Sequence, residues 1–494
     1  MKLSQLLKNL KPTEITGDIN KEIHNISYNS GNIKEGGLFV AISGFKKDGH
    51  DFIEEAIKNG AAAIITQKKV KSDSHFTQII VSDSREALAR ISSNFYDNPT
   101  TNLTLTGITG TNGKTTITFL IDSVLKFAGE KTSIITTIES FILSKKIFFD
   151  RTTPESLELN KFSRDSVKSG VEFLTMEVSS HAIDLHRIDF LDFDFFIFTN
   201  LSQDHLDYHN NMQNYFDTKK RLFVKEFRDL YSGRGAVINA DDIYGKQLLD
   251  VTDLQTLSYS VLSKDADIKA ENISSSTKGI EMDILIKNKG KIKIKSRLCG
   301  YFNVYNILAS IGACIFLNID LNTIQKGIGM MAGINGRFEK IKEIKDFTVI
   351  VDYAHTPDGL ENILKTASSI LTAGSRIITV FGCGGDRDKT KRAVMGSIAG
   401  KVSDFLIITS DNPRTEDPLS IISMIEDGVK ESGNKNYLKI ADRANAIEEA
   451  LNTAIKNDIV IIAGKGHEDY QEFNGTRIYF SDQKIVKDWA LKLK

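Results

Sequence analysis

Seven consecutive residues, Gly110-Thr111-Asn112-Gly113-Lys114-Thr115-Thr116, are suited to holding a polyphosphate. Glycines let backbone N–H groups approach phosphate oxygens. A lysine reaches the β/γ-phosphates, a hydroxyl beside it can ligate Mg²⁺, and a helix N-terminus adds partial positive charge. A β-rich run over 103–109 precedes the loop and a helix-like run over 117–127 follows it. The general pattern has a glycine five residues before the Gly-Lys pair. That position is Ile108 here, and the glycines fall at Gly107 and Gly110, so the loop is a variant.

Other reactive side chains follow apolar runs. The run over 171–178 carries an acid near its end, Glu177, where phosphate-loop proteins commonly help to hold Mg²⁺. The run over 192–198 opens into Asn200-Leu-Ser-Gln-Asp204-His205-Leu-Asp207-Tyr-His209. Two acids and two histidines just past a strand end sit where ligands bind in an open α/β sheet. They predict a metal- or phosphate-adjacent role for at least one of them. Arg151-Thr152-Thr153-Pro154-Glu155 is a turn placing two hydroxyls before a helix. Lys219-Lys220-Arg221, in a helical run over 215–223, reads by charge alone as a solvated basic face.

Beyond a hinge-like Gly333-Ile-Asn-Gly336-Arg337-Phe-Glu339, four strand-like runs end in polar or glycine-rich segments. These are Asp352-Tyr-Ala-His355-Thr-Pro-Asp358, Gly382 to Arg392, Ser410-Asp411-Asn412-Pro-Arg414, and Gly464-Lys465-Gly-His-Glu468. Four such ends predict a site on one rim of a parallel sheet.

The elements that must position these residues alternate strand and helix throughout, which predicts an α/β chain. In 494 residues about three domains are expected. The first, 1–100, is a small α/β unit, with Asn98-Pro99 near its end. The second, 101–332, carries a parallel sheet with an antiparallel patch over 265–297. The third, 333–494, holds the four polar strand ends. Hydrophobic content of 41%, charged content of 26% and a net charge of −1 describe an ordinary globular protein with no basic block for nucleic acid or an anionic membrane. Three scattered cysteines exclude a Cys-x-x-Cys zinc site and fit a reducing compartment. No apolar stretch reaches a membrane span, and a cytoplasmic protein is expected.

Taken together, these segments resemble the Mur ligase family, the ATP-dependent amide-bond ligases of peptidoglycan precursor synthesis. The matching pieces run in the family's order through all three units. Within the family, the chain is most like members that add a third residue to UDP-N-acetylmuramoyl-L-alanyl-D-glutamate. The resemblance implies a UDP-binding first domain, a phosphate-loop ATPase-type central domain and a Rossmann-like third domain. It implies ATP and Mg²⁺ as cofactors, a UDP-N-acetylmuramoyl dipeptide and a diamino acid as partners, and a monomer.

Residue by residue, the resemblance makes Lys114, Glu177, His205 and Lys219 catalytic. Gly110 to Thr116, Asn303, Arg337 and Asp352 would contact ATP. Thr115, Glu177, His205 and Lys219, the last as a carbamate, would hold Mg²⁺; this reverses the charge-run reading of Lys219, because a carbamate is an anionic oxygen ligand. Ser30, Phe45, Lys46, Lys47, Thr152, Thr153, Ser179 and Arg187 would take the UDP substrate. Two departures stand out: the family's Asp-Ser-Arg reads Asn29-Ser30-Gly31, and Leu185 replaces a polar residue. Arg392, Asp411, Asn412, Arg414, Gly464 and Glu468 would choose the amino acid. Arg414 is a planar fork for a second carboxylate, which meso-diaminopimelate carries and lysine or ornithine lacks. Lysine and ornithine stay as alternatives. More distant ones are a folylpolyglutamate-synthase-like ligase and a non-enzymatic nucleotide switch using the phosphate loop alone.

Overall fold

The computed structural model describes residues 1–45, 47–71, 76–276 and 278–492. Three sheets dominate it. Residues 14–80 contain a five-stranded sheet in the order Glu14–Thr16, Thr77–Ile80, Ala61–Thr66, Gly37–Val40, Ile26–Ser27. The helices Ile53–Lys58 and Ser84–Phe95 belong to the same part of the chain.

The central sheet has eleven strands. Its parallel core runs Gln255–Ser260, Gly235–Asn239, Phe195–Phe198, Thr104–Thr109, Phe173–Glu177, Thr132–Ile135. Beyond Gln255–Ser260, strand Ile268–Ser276 also joins in parallel, and the sheet then continues antiparallel through Gly279–Ile286 to Gly290–Ser296. Past Thr132–Ile135 it ends in the antiparallel strands Ser140–Ile142 and Lys145–Ile147. The expected sheet is therefore mixed, with antiparallel strands at both edges. At one edge Ile292 and Ile294 face the core while Lys291, Lys293 and Lys295 face solvent; at the other, Lys145 and Lys146 are exposed. Thr104–Thr109 lies between a later strand on each side, so the chain order reverses there and opens a crevice at the strand ends.

The local reasons are plain in the phosphate-loop unit. Thr104–Thr109 is β-branched and buried beyond its first residue. Gly107 leaves room for aromatics: a Cβ there would meet Phe193 at 2.8 Å and Phe196 at 3.1 Å. Helix Lys114–Ala128 buries Ile117, Leu120, Ile121, Val124 and Leu125, spaced for one face, each contributing roughly 1.5–3 kcal/mol. Gly129 in the left-handed region ends it.

The third sheet has six strands in the order Glu339–Lys340, Thr348–Asp352, Ile459–Ala463, Ile377–Phe381, Phe405–Ile408, Tyr437–Lys439. All but the first pair are parallel. Ile459–Ala463 and Ile377–Phe381 are buried along their full length, as strands covered on both faces must be. The four polar segments singled out in the sequence follow four adjacent strands, on one rim. A separate hairpin, Tyr470–Phe473 with Thr476–Tyr479, was not anticipated.

The first part of the chain is tied to the second by several contacts. Tyr28 donates to Glu158 at 3.0 Å, Arg85 pairs with Glu155 at 3.5 Å, and Arg90 covers the Phe190 ring at 3.4 Å. Among the described residues no helix is long and apolar enough to cross a membrane.

Candidate active site

The phosphate loop spans the turn from strand Thr104–Thr109 to helix Lys114–Ala128. Gly110 and Gly113 both take positive φ, 138° and 93°. A Cβ on Gly110 would collide with Thr199 Oγ1 and one on Gly113 with Asn306 Oδ1, so the loop needs glycine twice over. Asn200 ties it down from the neighbouring strand: its carbonyl accepts from Thr111 N at 2.8 Å and its side chain from Asn112 N at 3.0 Å. Lys114 Nζ donates to the Gly110 and Thr111 carbonyls at 3.0 and 2.8 Å. Burial pushes its pKa down and Glu177 opposes that shift. Thr116 lies one residue further on, lining the adjoining cavity.

Thr115 and Glu177 are in direct contact, the hydroxyl donating to Oε1 at 2.7 Å. Thr137 holds the same carboxylate through its N–H at 2.9 Å and its hydroxyl at 3.1 Å, and Arg337 reaches Thr115 Oγ1 at 3.2 Å. Lys219, 1% exposed, donates to Thr109 Oγ1 at 3.1 Å and Gly110 O at 3.3 Å. The helix Met212–Lys220 turns it inward, so the charge-run reading fails for Lys219. Burial, then the charge of Lys114, pushes its ammonium far below the usual lysine range. His205 sits at positive φ with Nε2 3.3 Å from Asp204, its ring 4.9 Å from that of His181. Burial lowers its pKa to about 3. Burial would raise Asp204, but His205, His355 and Lys391 hold it at about 2.

Among the described residues no three His, Cys, Asp or Glu side chains are grouped to hold a metal ion. What lies together is a hydroxyl and a carboxylate, Thr115 and Glu177, with the buried Lys219 beside the loop, its pKa pushed down by burial; hydroxyl and carboxylate oxygens are donors that suit Mg²⁺.

A cavity of about 590 Å³ opens beside the loop. Asn112, Gly113 and Thr116 line it from one side, Asn303 and Arg337 from the hinge side, and Asp352, His355 and Asp358 from the third sheet. Of the residues expected to contact the nucleotide, Asn112, Gly113, Thr116, Asn303, Arg337 and Asp352 line this space, whereas Gly110, Thr111, Lys114 and Thr115 are not among its lining residues. Asn306, not anticipated, also lines it and donates to Asn303 at 2.8 Å. Asp352 caps its own turn, accepting from Phe338 N at 2.6 Å and Ala354 N at 2.7 Å; burial raises its pKa against the pull of Arg337.

Toward the first sheet, Thr153 links Glu177 O at 2.9 Å to Ser179, whose N–H it accepts at 3.1 Å. Thr152 Oγ1 lies 3.1 Å from Thr137 Oγ1. Arg187 donates to Thr153 O at 3.1 Å and pairs with Glu155 at 3.1 Å; Arg151 also pairs with Glu155. Phe45 is 75% exposed with its ring edge-on to Tyr208, and Lys47 lies over Phe52. Ser30 is buried and donates to Glu55 at 2.8 Å. Lys46 lies outside the described residues.

On the third rim, Asp411, Asn412, Gly464 and Glu468 converge on Lys465, which sequence reasoning passed over inside its own motif. Lys465 Nζ donates to Asn412 Oδ1 and Glu468 Oε2, each at 3.0 Å, and lies 3.6 Å from Asp411. Burial pushes Glu468 up, whereas Lys465 and Arg443 hold Asp411 down despite its burial. Gly464, at φ 115°, brings the backbone against Asp411. Arg414 takes a positive φ, donates Nη1 to Gly385 O at 2.6 Å and has Nε 3.6 Å from Glu472. Arg392 is wholly buried and its fork is already engaged with both oxygens of Glu416 at 2.9 Å.

Three family models cover most of the chain in sequence: the Mur ligase family catalytic domain at residues 22–96, the Mur ligase middle domain at 108–314, and the Mur ligase glutamate ligase domain at 336–466. The chain belongs to the Mur ligase family. Among Mur ligases it is 45% identical to the UDP-N-acetylmuramoyl-L-alanyl-D-glutamate–2,6-diaminopimelate ligase of Clostridium botulinum, covering 99% of each chain. It is 44% identical to the ligase of the same name from Caldanaerobacter subterraneus, over 99% of this chain and 98% of that one. A solved structure of a ligase of that name superposes with a TM-score of 0.69 at 31% identity, covering 100% of this chain and 99% of the other. The three-domain Mur ligase architecture thus accounts for the three sheets.

Proposed function

We propose that this chain is an ATP-dependent ligase that adds meso-2,6-diaminopimelate to UDP-N-acetylmuramoyl-L-alanyl-D-glutamate. The units are residues 1–100, 101–332 and 333–494. What supports the reading is the contact of the third domain with the phosphate loop: Arg337 donates to Thr115 Oγ1 at 3.2 Å, Asn112 to Asp358 at 2.6 Å, and one cavity is lined by Asn112, Gly113 and Thr116 on the loop side and by Arg337, Asp352 and His355 on the other.

In the first step the γ-carboxylate of D-glutamate attacks the γ-phosphorus of ATP, giving an acyl phosphate and ADP. The amine of the incoming amino acid then attacks the acyl carbon and phosphate departs. The protein's work is positioning and charge neutralisation. The amides of Gly110 to Thr116 and Lys114 cradle the phosphates, and Arg337 approaches from the hinge. Mg²⁺, when bound, neutralises phosphate charge and is held by Thr115, Glu177 and Lys219 as a carbamate, with His205 assisting from its neutral form. Arg187 and the Thr152, Thr153 and Ser179 hydroxyls orient the acidic peptide, with Ser30 and the Phe45–Lys47 loop toward the uridine end. Arg414, with Nη1 on Gly385 O and Nε beside Glu472, offers Nη2 to the far carboxylate of the amino acid, and Glu468 with Asn412 takes the far ammonium. The engagement of Arg392 with Glu416 makes it a support for this rim. The proposed enzyme is a monomer that works in the cytoplasm beside its nucleotide substrates.

The test is phosphate release on incubating the protein with ATP, Mg²⁺, the UDP-muramoyl dipeptide and each of diaminopimelate, lysine and ornithine. Turnover is expected with diaminopimelate alone. Turnover with lysine and none with diaminopimelate overturns the role given to Arg414. A folylpolyglutamate-type ligase would ignore the sugar nucleotide, and a nucleotide switch would make no amide.

A further inference from the structure

Around the start of helix Lys391–Val402, which follows strand Ile377–Phe381, stand the cations Lys389, Lys391 and Arg392, and they are not equivalent. Lys389 lies 3.3 Å from Glu416 and Arg392 2.9 Å from it. Lys391, between them, has no carboxylate oxygen within 4.0 Å among the described residues. It is nonetheless buried, at 6% exposure. Its Nζ makes one hydrogen bond, to the carbonyl of His355 at 2.8 Å, which leaves two N–H donors.

Its place in the helix adds to the anomaly. Lys391 is the first residue of a twelve-residue helix whose first turn holds no acid and whose N-cap, Thr390, makes no capping bond. A positive charge is disfavoured at a helix N-terminus, where an anion is favoured. Its counter-charge, the buried Asp204 that it helps to keep ionised, lies beyond 4.0 Å, so no anion is in contact with this buried ammonium, and a buried cation is favoured by one that is. Both penalties reverse if an anion lies against Lys391 and the opening N–H groups of the helix.

The location selects the anion. His355, which Lys391 touches, lines the nucleotide cavity with Asn112, Gly113 and Thr116. Thr390 accepts from Gln203 of the central domain at 3.1 Å, one residue before Asp204. Lys391 therefore stands where the third domain meets the far side of the phosphate-loop crevice.

We propose that Lys391, with the opening amides of its helix, is a phosphoryl-binding residue contributed by the third domain. It receives the γ-phosphoryl oxygens of ATP and, after transfer, those of the acyl phosphate. The inference rests on the ligase reading above. It makes docking of the third domain respond to a γ-phosphate and not to ADP.

The test compares equilibrium binding of ADP and of β,γ-imido-ATP, with Mg²⁺ and the UDP-muramoyl dipeptide present, by calorimetry on the wild-type chain, Lys391→Met and Lys391→Arg. The methionine variant should lose about tenfold to a hundredfold in affinity for the imido analogue, the range for a charged hydrogen bond, with ADP affinity unchanged. The arginine variant should recover part of the loss. Equal weakening of both nucleotides would mean that Lys391 only braces the His355 carbonyl, and unchanged affinities would dismiss any phosphate contact; either overturns the proposal. Should Lys391→Met lose the fold, seen as no ADP binding, Lys391→Gln takes its place. A wild-type chain that binds neither nucleotide strikes the ligase reading instead.

Discussion

At the scale of single residues, burial makes the chemistry. Lys219 would be an inert surface cation if its helix were rotated by half a turn; enclosed beside Lys114, it becomes an amine that loses its proton readily. Lys219→Ala is expected to cut kcat by more than about a hundredfold, as loss of a group serving phosphoryl transfer does, and added bicarbonate should not restore it. Near-normal turnover of the alanine variant would remove the carbamate role. At His209 burial acts in the same direction, with a consequence for stability. Its Nε2 lies 2.8 Å from Ser180 Oγ, and burial lowers its pKa from 6.5 to about 4. Between those values the unfolded chain binds more protons than the folded one, so stability rises with pH and is lost on acidification from about 6.5 toward 4. At pH 5 this one group costs roughly 2 kcal/mol, at 1.36 kcal/mol per unit. His209→Gln, which keeps a polar partner for Ser180, should show a smaller fall in melting temperature between pH 7.5 and pH 5.

At the scale of elements, tight backbone geometry and buried ion pairs hold the site. Gly113→Ala forces a Cβ into Asn306 at a left-handed φ. It should weaken ADP binding at least about tenfold while leaving the circular dichroism spectrum unchanged. Helix Asp482–Lys492 is pinned by Asp482 to Arg443, both at zero exposure, and Arg443 in turn donates to the Ala463 carbonyl, just before Gly464. Asp482→Asn should therefore destabilise the third domain by about 3–5 kcal/mol in urea unfolding, because it strands a buried guanidinium. Much of this scale was legible in advance. Apolar runs such as 458–463 announce buried parallel strands, and their polar ends announce the rim. Pairings distant in sequence were not legible. Nothing near Arg392 marks Glu416 as the acid that engages it, and nothing near Glu177 marks Thr137 as its clamp. Lys465 was passed over because a lysine between glycines looks solvated until three partners from two strand ends close on it.

At the scale of the whole molecule, the domains are joined unequally. The first meets the second through Tyr28–Glu158, Arg85–Glu155 and the Arg90–Phe190 stack. The third meets the second through side chains of the site itself, Asn112 donating to Asp358 at 2.6 Å and Arg337 to Thr115. On the proposed reading those contacts would compete with nucleotide, so the third domain is the one expected to swing. Small-angle scattering should show a different radius of gyration with imido-ATP and the UDP-muramoyl dipeptide than without them; superposable curves would argue for a rigid molecule. The ends of the central sheet bear on a different property. An eleven-stranded sheet exposes two open borders, and any open border can recruit a strand from a neighbouring chain. Lys291, Lys293 and Lys295 stand along one border, ion-paired with Asp283 and Glu281 of the next strand, and Lys145 and Lys146 along the other, and a strand docking there would have to desolvate those charges. The same lysines, which take no part in the proposed reaction, would guard a crowded, newly synthesised chain against polymerising along its sheet, and replacing the three at 291, 293 and 295 with valine should raise the fraction that precipitates during refolding.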